Sequence, residues 1–326
     1  MYEDDLSLHL APRVAIITRT KDRPRLLRRA IKSVIAQGYA DWQLIVVNDG
    51  GEPNDVDGVV ADCEDELGGR VRVLHNAQSR GMEAASNQGV GESSSEFIVI
   101  HDDDDEWAPD FLDETVRYLE AHPEDGGVAV QTEIVFEHLT AEGREVVERV
   151  PLEPNMQAIT LVDLLHFNRF VPISFLFRRS AYDKLGGFDE NLAVVGDWEF
   201  HLRFVVQFNI GYLKGRPLAF WNQRRDAVGS EANSMIAGLA DHHAYSLQVR
   251  DRLLREHVQA HGLGPLLYER ELVAVEMHRL HEHLDRVQQE LQEIKALVRD
   301  STFPGTSRVR QGQQAARRMT ARIRRR

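Results

Sequence analysis

Four consecutive aspartates, Asp102 to Asp105, close a run that reads Phe97-Ile98-Val99-Ile100-His101. Adjacent carboxylates repel one another, and burying them unpaired carries a large desolvation cost. Two arrangements make such a cluster tolerable at the tip of an apolar strand. One is full solvation in an acidic loop. The other is a divalent cation, because hard Mg²⁺ and Mn²⁺ prefer carboxylate oxygens. Other polar residues stand at comparable places. Thr18-Arg19 ends the run RVAIIT, Asn48-Asp49 ends QLIVVN, and Asn76 follows VRVLH.

The elements that position these residues alternate. RVAIIT (13–18) reads as a β-branched strand bounded by Pro12. A helix follows, with Leu26, Leu27, Ala30, Ile31, Val34 and Ile35 at helical spacing, Pro24 in its first turn and Gly38 at its end. QLIVVN (43–48), VRVLH (71–75) and FIVIH (97–101) read as three more strands, with helices over roughly 80–90 and 109–121. Four such alternations predict an open, mostly parallel α/β sheet with helices on both faces. Ligands of such sheets bind beyond the carboxyl ends of the strands, where all the polar residues named above fall. Further along, GVAVQTEIVFEH (127–138) and ISFLFRR (173–179) read as strands, and residues 197–206 as an amphipathic helix.

From about residue 235 the pattern becomes helical. Val273, Met277, Leu280, Leu284, Val287, Leu291, Ile294 and Val298 keep a strict alternation of four and three, a coiled-coil seam. The expected organisation is an N-terminal extension (1–12), an α/β domain (13–232), a helical region (233–300) with a coiled coil over about 266–299, and a basic tail (301–326). The seam predicts a homo-oligomer; packing of that helix on its own domain is the alternative.

Composition narrows the function classes. With 42% apolar and 28% charged residues in 326, the chain is globular. A single cysteine, Cys63, excludes a disulfide framework and Cys-rich zinc modules, and fits a reducing cytoplasm. The acidic start MYEDDLSLHLAP does not read as a signal peptide, and no stretch approaches the roughly 20 apolar residues of a membrane span. The net charge of −13 is uneven: residues 301–326 hold eight arginines and no acid, leaving −21 on residues 1–300. An acidic body argues against specific nucleic-acid binding. The chain has no GxGxxG and no GxxxxGK[S/T]; Gly89 and Gly91 lack a third glycine and follow a helix. Dinucleotide-binding and P-loop chemistry are therefore disfavoured, and phosphates held through a metal are favoured over a glycine cradle.

The run AIITRTKDRPRLLRRAIKSVIAQGYADWQLIVVNDGG resembles the opening of family 2 glycosyltransferases of the GT-A fold. The resemblance continues through NAQSRG with SNQGVG, the acidic motif in HDDDDEW, and LGGFDENLAVVGDWEFHLRF, and spans roughly residues 13–230. It implies a metal-dependent, inverting transfer of a sugar from a nucleoside-diphosphate sugar to a hydroxyl of a glycan or lipid-linked acceptor, as in bacterial surface polysaccharide synthesis.

It also implies roles for residues. Asp102 and Asp104 match the family's DXD acids that hold Mn²⁺ or Mg²⁺, and in an extended segment they point to the same side. Asp103 falls within the same donor-binding motif. Thr18 and Arg19 would line the base pocket, Asp49 would read the base edge, and Arg80 would lie near base or phosphates. Asp49-Gly50-Gly51 stands where the family has Asp-Gly-Ser, and Asn-Asp-Gly-Gly is also a good turn on its own. The family's Glu-Asp pair at a helix start is Gly196-Asp197 here, so only Asp197 matches the general base; a plain N-cap is its alternative. In WNQRRDAVGSEANS the family's loop histidine is absent, which leaves Arg224 or Arg225 to meet the leaving diphosphate.

Two rival functions are a sugar-nucleotide nucleotidyltransferase and a non-catalytic sugar-nucleotide or glycan-binding scaffold. The first calls for a glycine-rich loop after the first strand, which Thr18-Arg19-Thr20-Lys21 lacks. The tail RVRQGQQAARRMTARIRRR places Ala315, Met319 and Ile323 on one helical stripe among arginines. That pattern predicts peripheral contact with an anionic membrane at the inner face of the cell membrane.

Overall fold

The protein is described by a computed structural model over residues 11–141, 143–225, 229 and 239–301. Its first half is the expected alternation: β1 (Val14–Thr20), α1 (Pro24–Ile35), β2 (Trp42–Asp49), α2 (Pro53–Ala61), α3 (Glu64–Leu67), β3 (Val71–Asn76), α4 (Met82–Gly91) and β4 (Phe97–Ile100). A short β5 (Glu106–Trp107) and α5 (Phe111–Ala121) follow. β1 pairs in parallel with β2 and β4, and β2 with β3. Val14 to Ile17 and all of β4 are buried, because helices cover both faces of these strands. α1 starts on Pro24 and buries Leu26, Leu27, Ala30, Ile31 and Val34 along one face. Each of the leucine, isoleucine and valine side chains contributes about 1.5–3 kcal/mol of burial. α4 lies close against the sheet: a methyl group at Gly89 would overlap Ile17 of β1.

The second half departs from the expected strands. Residues 127–138 do not form one strand. They divide into β6 (Asp125–Val130) and β7 (Thr132–Thr140), which belong to different sheets. The chain changes sheet at Gln131, whose side chain donates to the Leu152 carbonyl (2.9 Å) while its backbone N–H donates to Leu213 (2.9 Å). β8 (Gly143–Pro151) is exposed, and its apolar content gave no strand signal. Residues 173–179 open with a 3₁₀ turn (Pro172–Ser174) before β9 (Phe175–Arg178). After α6 (Leu161–His166), α7 (Arg179–Leu185) and α8 (Gly196–Gln207) come β10 (Asn209–Leu213) and β11 (Ala219–Gln223).

The main sheet has the order β10-β6-β9-β4-β1-β2-β3. β9 runs antiparallel to both neighbours and joins β4 of the first half to β6 of the second. The smaller sheet, β5-β11-β7-β8, stands beside the end of β4. Residues up to Asp251 group into one compact unit and those from Arg252 into a second. Within the second, one helix (Gly264–Ser301) carries the whole seam, and Val273, Leu280, Leu284 and Leu291 are each about half exposed. Most of the N-terminal extension (1–10), the start of the helical region (233–238), the basic tail after Ser301 and most of the loop after Arg225 lie outside the described residues.

Candidate active site

A cavity of about 960 Å³ opens at the carboxyl ends of β1, β2 and β4. Arg19, Asp49, Asp102, Asp103, Asp104 and Asp197 all line it, although they come from four separate regions of the chain. Thr18, Arg80, Arg224 and Arg225 are not among its described lining residues.

The four aspartates are neither solvated nor left to a cation alone. Each is met by the protein. Asp102 Oδ1 accepts from Arg19 Nε (2.9 Å). Asp103 accepts from Thr20 Oγ1 (2.6 Å) and Arg23 Nη1 (3.2 Å). Asp104 is paired with Arg224 and lies 3.6 Å from Arg23. Asp105 accepts the backbone N–H of Asn222 (2.8 Å). Burial, with Asp104 beside it, still pushes the Asp103 carboxyl up to about 7. Burial and the same neighbour raise Asp105 well above the ordinary range. Against burial, the charges of Asp102 and Glu83 hold Arg19 firmly protonated.

A second layer holds the arginines. Glu137 of β7 is fully buried and accepts from Arg29 (2.8 Å), Arg224 (3.1 Å) and Arg144 (3.1 Å). Its placement follows from a β-bulge. Phe136 pairs with Glu148 but Glu137 with Val146, so Val147 is left over and the strand is re-aimed at that point.

Several expected donor contacts are rearranged. Arg19 lines the cavity with its guanidinium engaged by Asp102, Ser86 and Glu83. Thr18 is buried in β1, and Thr20 two residues on reaches Asp103 instead. All four acceptor positions of the Asp49 carboxylate are taken: Asn76 Nδ2 (3.0 Å) and Arg80 N (2.8 Å) on Oδ1, Ser79 Oγ (2.7 Å) and Gly81 N (3.0 Å) on Oδ2. Against the cost of burial, these donors keep its carboxyl below the usual range. Asp49 therefore closes the 76–81 loop, and reading a base edge would require it to release one of these bonds. Arg80 turns its guanidinium to Gln88 and Glu190, and Arg225 stacks on Phe136 (3.7 Å). Arg224 is buried on Asp104 and Glu137, behind the cavity wall.

Asp197 stands in the first turn of α8, beside the opposite wall. Val195 before it is held at φ 61°, a strained conformation for a β-branched residue. Asp197 accepts a hydrogen bond from Asn168 Nδ2 (2.8 Å), whose Oδ1 lies 3.0 Å from His201 Nδ1. Because the amide donates to a carboxylate, its oxygen faces the ring, and His201 must donate. Burial pushes His201 down to about 3, so the ring is neutral and suited to that role. Burial also raises the Asp197 carboxyl, in part offset by the Trp198 backbone N–H and Arg19. Trp198 anchors the turn by donating to the Leu164 carbonyl (2.7 Å). The sequence did not mark Asn168, His201, Arg23 or Thr20, since each gains its role only through tertiary contact.

Asp102 and Asp104 offer hard oxygens to one cavity. Among the described residues no group of three or more Asp, Glu, His or Cys converges into a protein-only cage. Two carboxylates with room for phosphate oxygens and water are what Mg²⁺ and Mn²⁺ usually take, so the donor set fits such an ion.

The family model described as "Glycosyl transferase family 2" matches residues 15–186, more than half of the chain. An uncharacterized glycosyltransferase of Bacillus subtilis (strain 168), YwdF, is 28% identical over 257 residues, covering 78% of this chain and 86% of that protein. The structure of S. aureus TarS 1-349 in complex with UDP-GlcNAc superposes with a TM-score of 0.55 at 16% identity, covering 77% of this chain and 75% of that one. The mannosyltransferase PcManGT from Pyrobaculum calidifontis, in complex with GDP-Man and Mn²⁺, gives a TM-score of 0.50 at 18% identity over 74% of this chain and 65% of that one. These likenesses establish the GT-A fold.

Proposed function

The chain belongs to glycosyl transferase family 2, and from that premise we propose that it moves a sugar from a nucleoside-diphosphate donor to an acceptor hydroxyl by a single displacement that inverts the anomeric centre. The observation that carries this reading is the meeting of Asp102, Asp104 and Asp197 at one cavity. The acids of the β4 end would hold a divalent cation together with the donor diphosphate. When bound, such an ion supplies Lewis-acid stabilisation of the charge that grows on the leaving diphosphate.

The chain's own residues carry the rest. Asp197, fixed by Asn168 and His201, accepts the acceptor's proton as its oxygen attacks the anomeric carbon. Because burial raises its carboxyl, the Asp197 carboxylate is a stronger base than an ordinary aspartate. Arg23 lines the cavity between Asp103 and Asp104 and is placed to meet phosphate oxygens once these acids engage the donor. Asp49 shapes the donor side by closing the 76–81 loop. Nucleotide-sugar use is supported by the UDP-GlcNAc and GDP-Man complexes of the structural neighbours, and a metal by the Mn²⁺ of one of them.

The acceptor is assigned as a glycan or a lipid-linked glycan. Phe167, Phe170, Val171, Pro172 and Trp198 give the cavity an apolar side next to Asp197, suited to a sugar face or lipid-proximal group. Among the described residues no helix is long and apolar enough to cross a membrane. Contact with a cytoplasmic membrane face would then fall to the basic tail, and self-association to the seam. The test is transfer from UDP-GlcNAc and GDP-mannose to simple glycosides with and without Mn²⁺. Inversion predicts a β-linked product from an α-linked donor by its anomeric coupling constant; a retained α linkage refutes the single displacement.

A further inference from the structure

Glu83 has no part in the reading above, yet it stands at the centre of the site. It lies in the first turn of α4, where an acid is ordinarily solvated and favoured only by the helix dipole. Here it is 4% exposed and lines the cavity. One of its oxygens, Oε2, is buried without a hydrogen-bond partner, and the nearest cation, Arg19 Nη1, is 3.6 Å away. A carboxylate left this way is costly, and the obvious structural remedy, an apolar residue, is absent.

The geometry at Gly196 explains the space that Glu83 fills. A methyl group there would overlap the Glu83 Oε1, Cδ and Cγ atoms. Gly196 does not adopt the left-handed conformation that favours glycine, so it is the neighbouring carboxyl that excludes a side chain. The Glu83 carboxyl thus occupies the position of a side chain on residue 196, directly before Asp197. Around it stand Arg19 of β1, Asp102 after β4, and Asp197 and Glu199 of α8.

We propose that Glu83 is a positioning residue of the transfer reaction, an acid delivered from α4 to stand where residue 196 has no side chain and to set the charge around Arg19 and Asp197. It braces the start of α8 on one side. On the other it offers Arg19 a second carboxylate when Asp102 turns to the donor. Burial, with Asp197 and Asp102 nearby, pushes the Glu83 carboxyl up to about 7. This inference rests on Asp197 as the base.

The experiment follows nucleotide release from UDP-GlcNAc or GDP-mannose, whichever the wild type turns over, from about pH 5 to about pH 9. Glu83→Gln is expected to lower kcat about tenfold or more with donor KM nearly unchanged, and to remove an inflection in kcat near pH 7 present in the wild type. In Glu83→Ala, adding Gly196→Glu should restore turnover, whereas adding Gly196→Gln should not, because the site needs a charge and not merely a filled volume. An unchanged kcat and pH profile in Glu83→Gln overturns the proposal. Equal rescue by Glu and Gln at 196 also overturns it, reducing Glu83 to packing. If Glu83→Ala melts below the assay temperature, Glu83→Gln alone decides. A harmless Asp197→Asn would instead strike the base assignment, and so separates the two failures.

Discussion

Glu137 offers the sharpest test of how the acid cluster is held. Its side chain is fully buried, and three arginines converge on it, of which Arg224 is itself only 2% exposed. Glu137→Gln keeps the shape and removes the charge. Arg29 and Arg144 retain Glu106 and partial access to solvent, so their loss is small. Arg224 is then left with the charge of Asp104, which in turn lies next to Asp103 and Asp105. Breaking a buried pair by removing one partner costs about 3–5 kcal/mol, and the amide recovers part of it by accepting one bond, so about 3 kcal/mol is expected. Glu133→Gln on the same strand is the control. Its partner Arg149 is 43% exposed, and such a pair contributes about 0–1 kcal/mol. Urea unfolding of both variants, read as a change in midpoint at constant slope, measures the difference. The Glu137 variant should also bind UDP or GDP more weakly, because Arg224, which anchors Asp104, loses the carboxylate that holds it in place. A loss below about 1 kcal/mol for Glu137→Gln, equal to the control, would refute the idea that this glutamate organises the cluster.

Asp104→Asn should abolish Mn²⁺-dependent donor binding by calorimetry in a chain that still folds, with a lowered melting temperature because buried Arg224 loses a charged partner; full activity in EDTA would contradict the metal assignment. Asp197→Asn should reduce kcat by about 10²–10⁴ with donor affinity intact. Because burial raises the Asp197 carboxyl, wild-type turnover should also fall as pH drops through a pKa above the ordinary aspartate value of about 3.9, the base being lost on protonation. Light scattering of a chain ending at Gly262 should give a smaller assembly than the full chain, since the seam would join copies. Equal masses would oppose self-association. Deleting residues 308–326 should abolish salt-sensitive sedimentation with anionic vesicles; unchanged binding would remove the membrane role of the tail.

The first half of the fold was legible because each buried strand is a short β-branched run and each helix carries its own 3.6-residue period. The acid cluster was legible too, as charge at a strand end needs an explanation wherever it occurs. What answers that charge was not. Arg224 meets Asp104 and Glu137 through the pairing of β11 with β7, Arg23 reaches the acids from the turn before α1, and no local pattern encodes either placement. The same holds for Asn168, which lies 29 positions before the carboxylate it orients. Residues 127–138 misread as one strand because alternation reports burial, not which sheet a strand joins. A motif match also says nothing of what a side chain touches: Thr18 is buried in β1, and Asp49 is hydrogen-bonded by its own loop.

The antiparallel β9 also matters during synthesis. β4 emerges from the ribosome with one edge matched by β1, but the partner for its other edge lies roughly 75 residues further along. At about 5–20 residues per second that edge stays open for about 4–15 s, long enough for an apolar, β-prone segment to find another nascent chain. Asp102 to Asp105 follow directly on this segment, and a block of charge beside a sticky strand is what discourages such pairing. Neutralising several of these acids at once is therefore expected to lower soluble yield even where the finished protein tolerates the change.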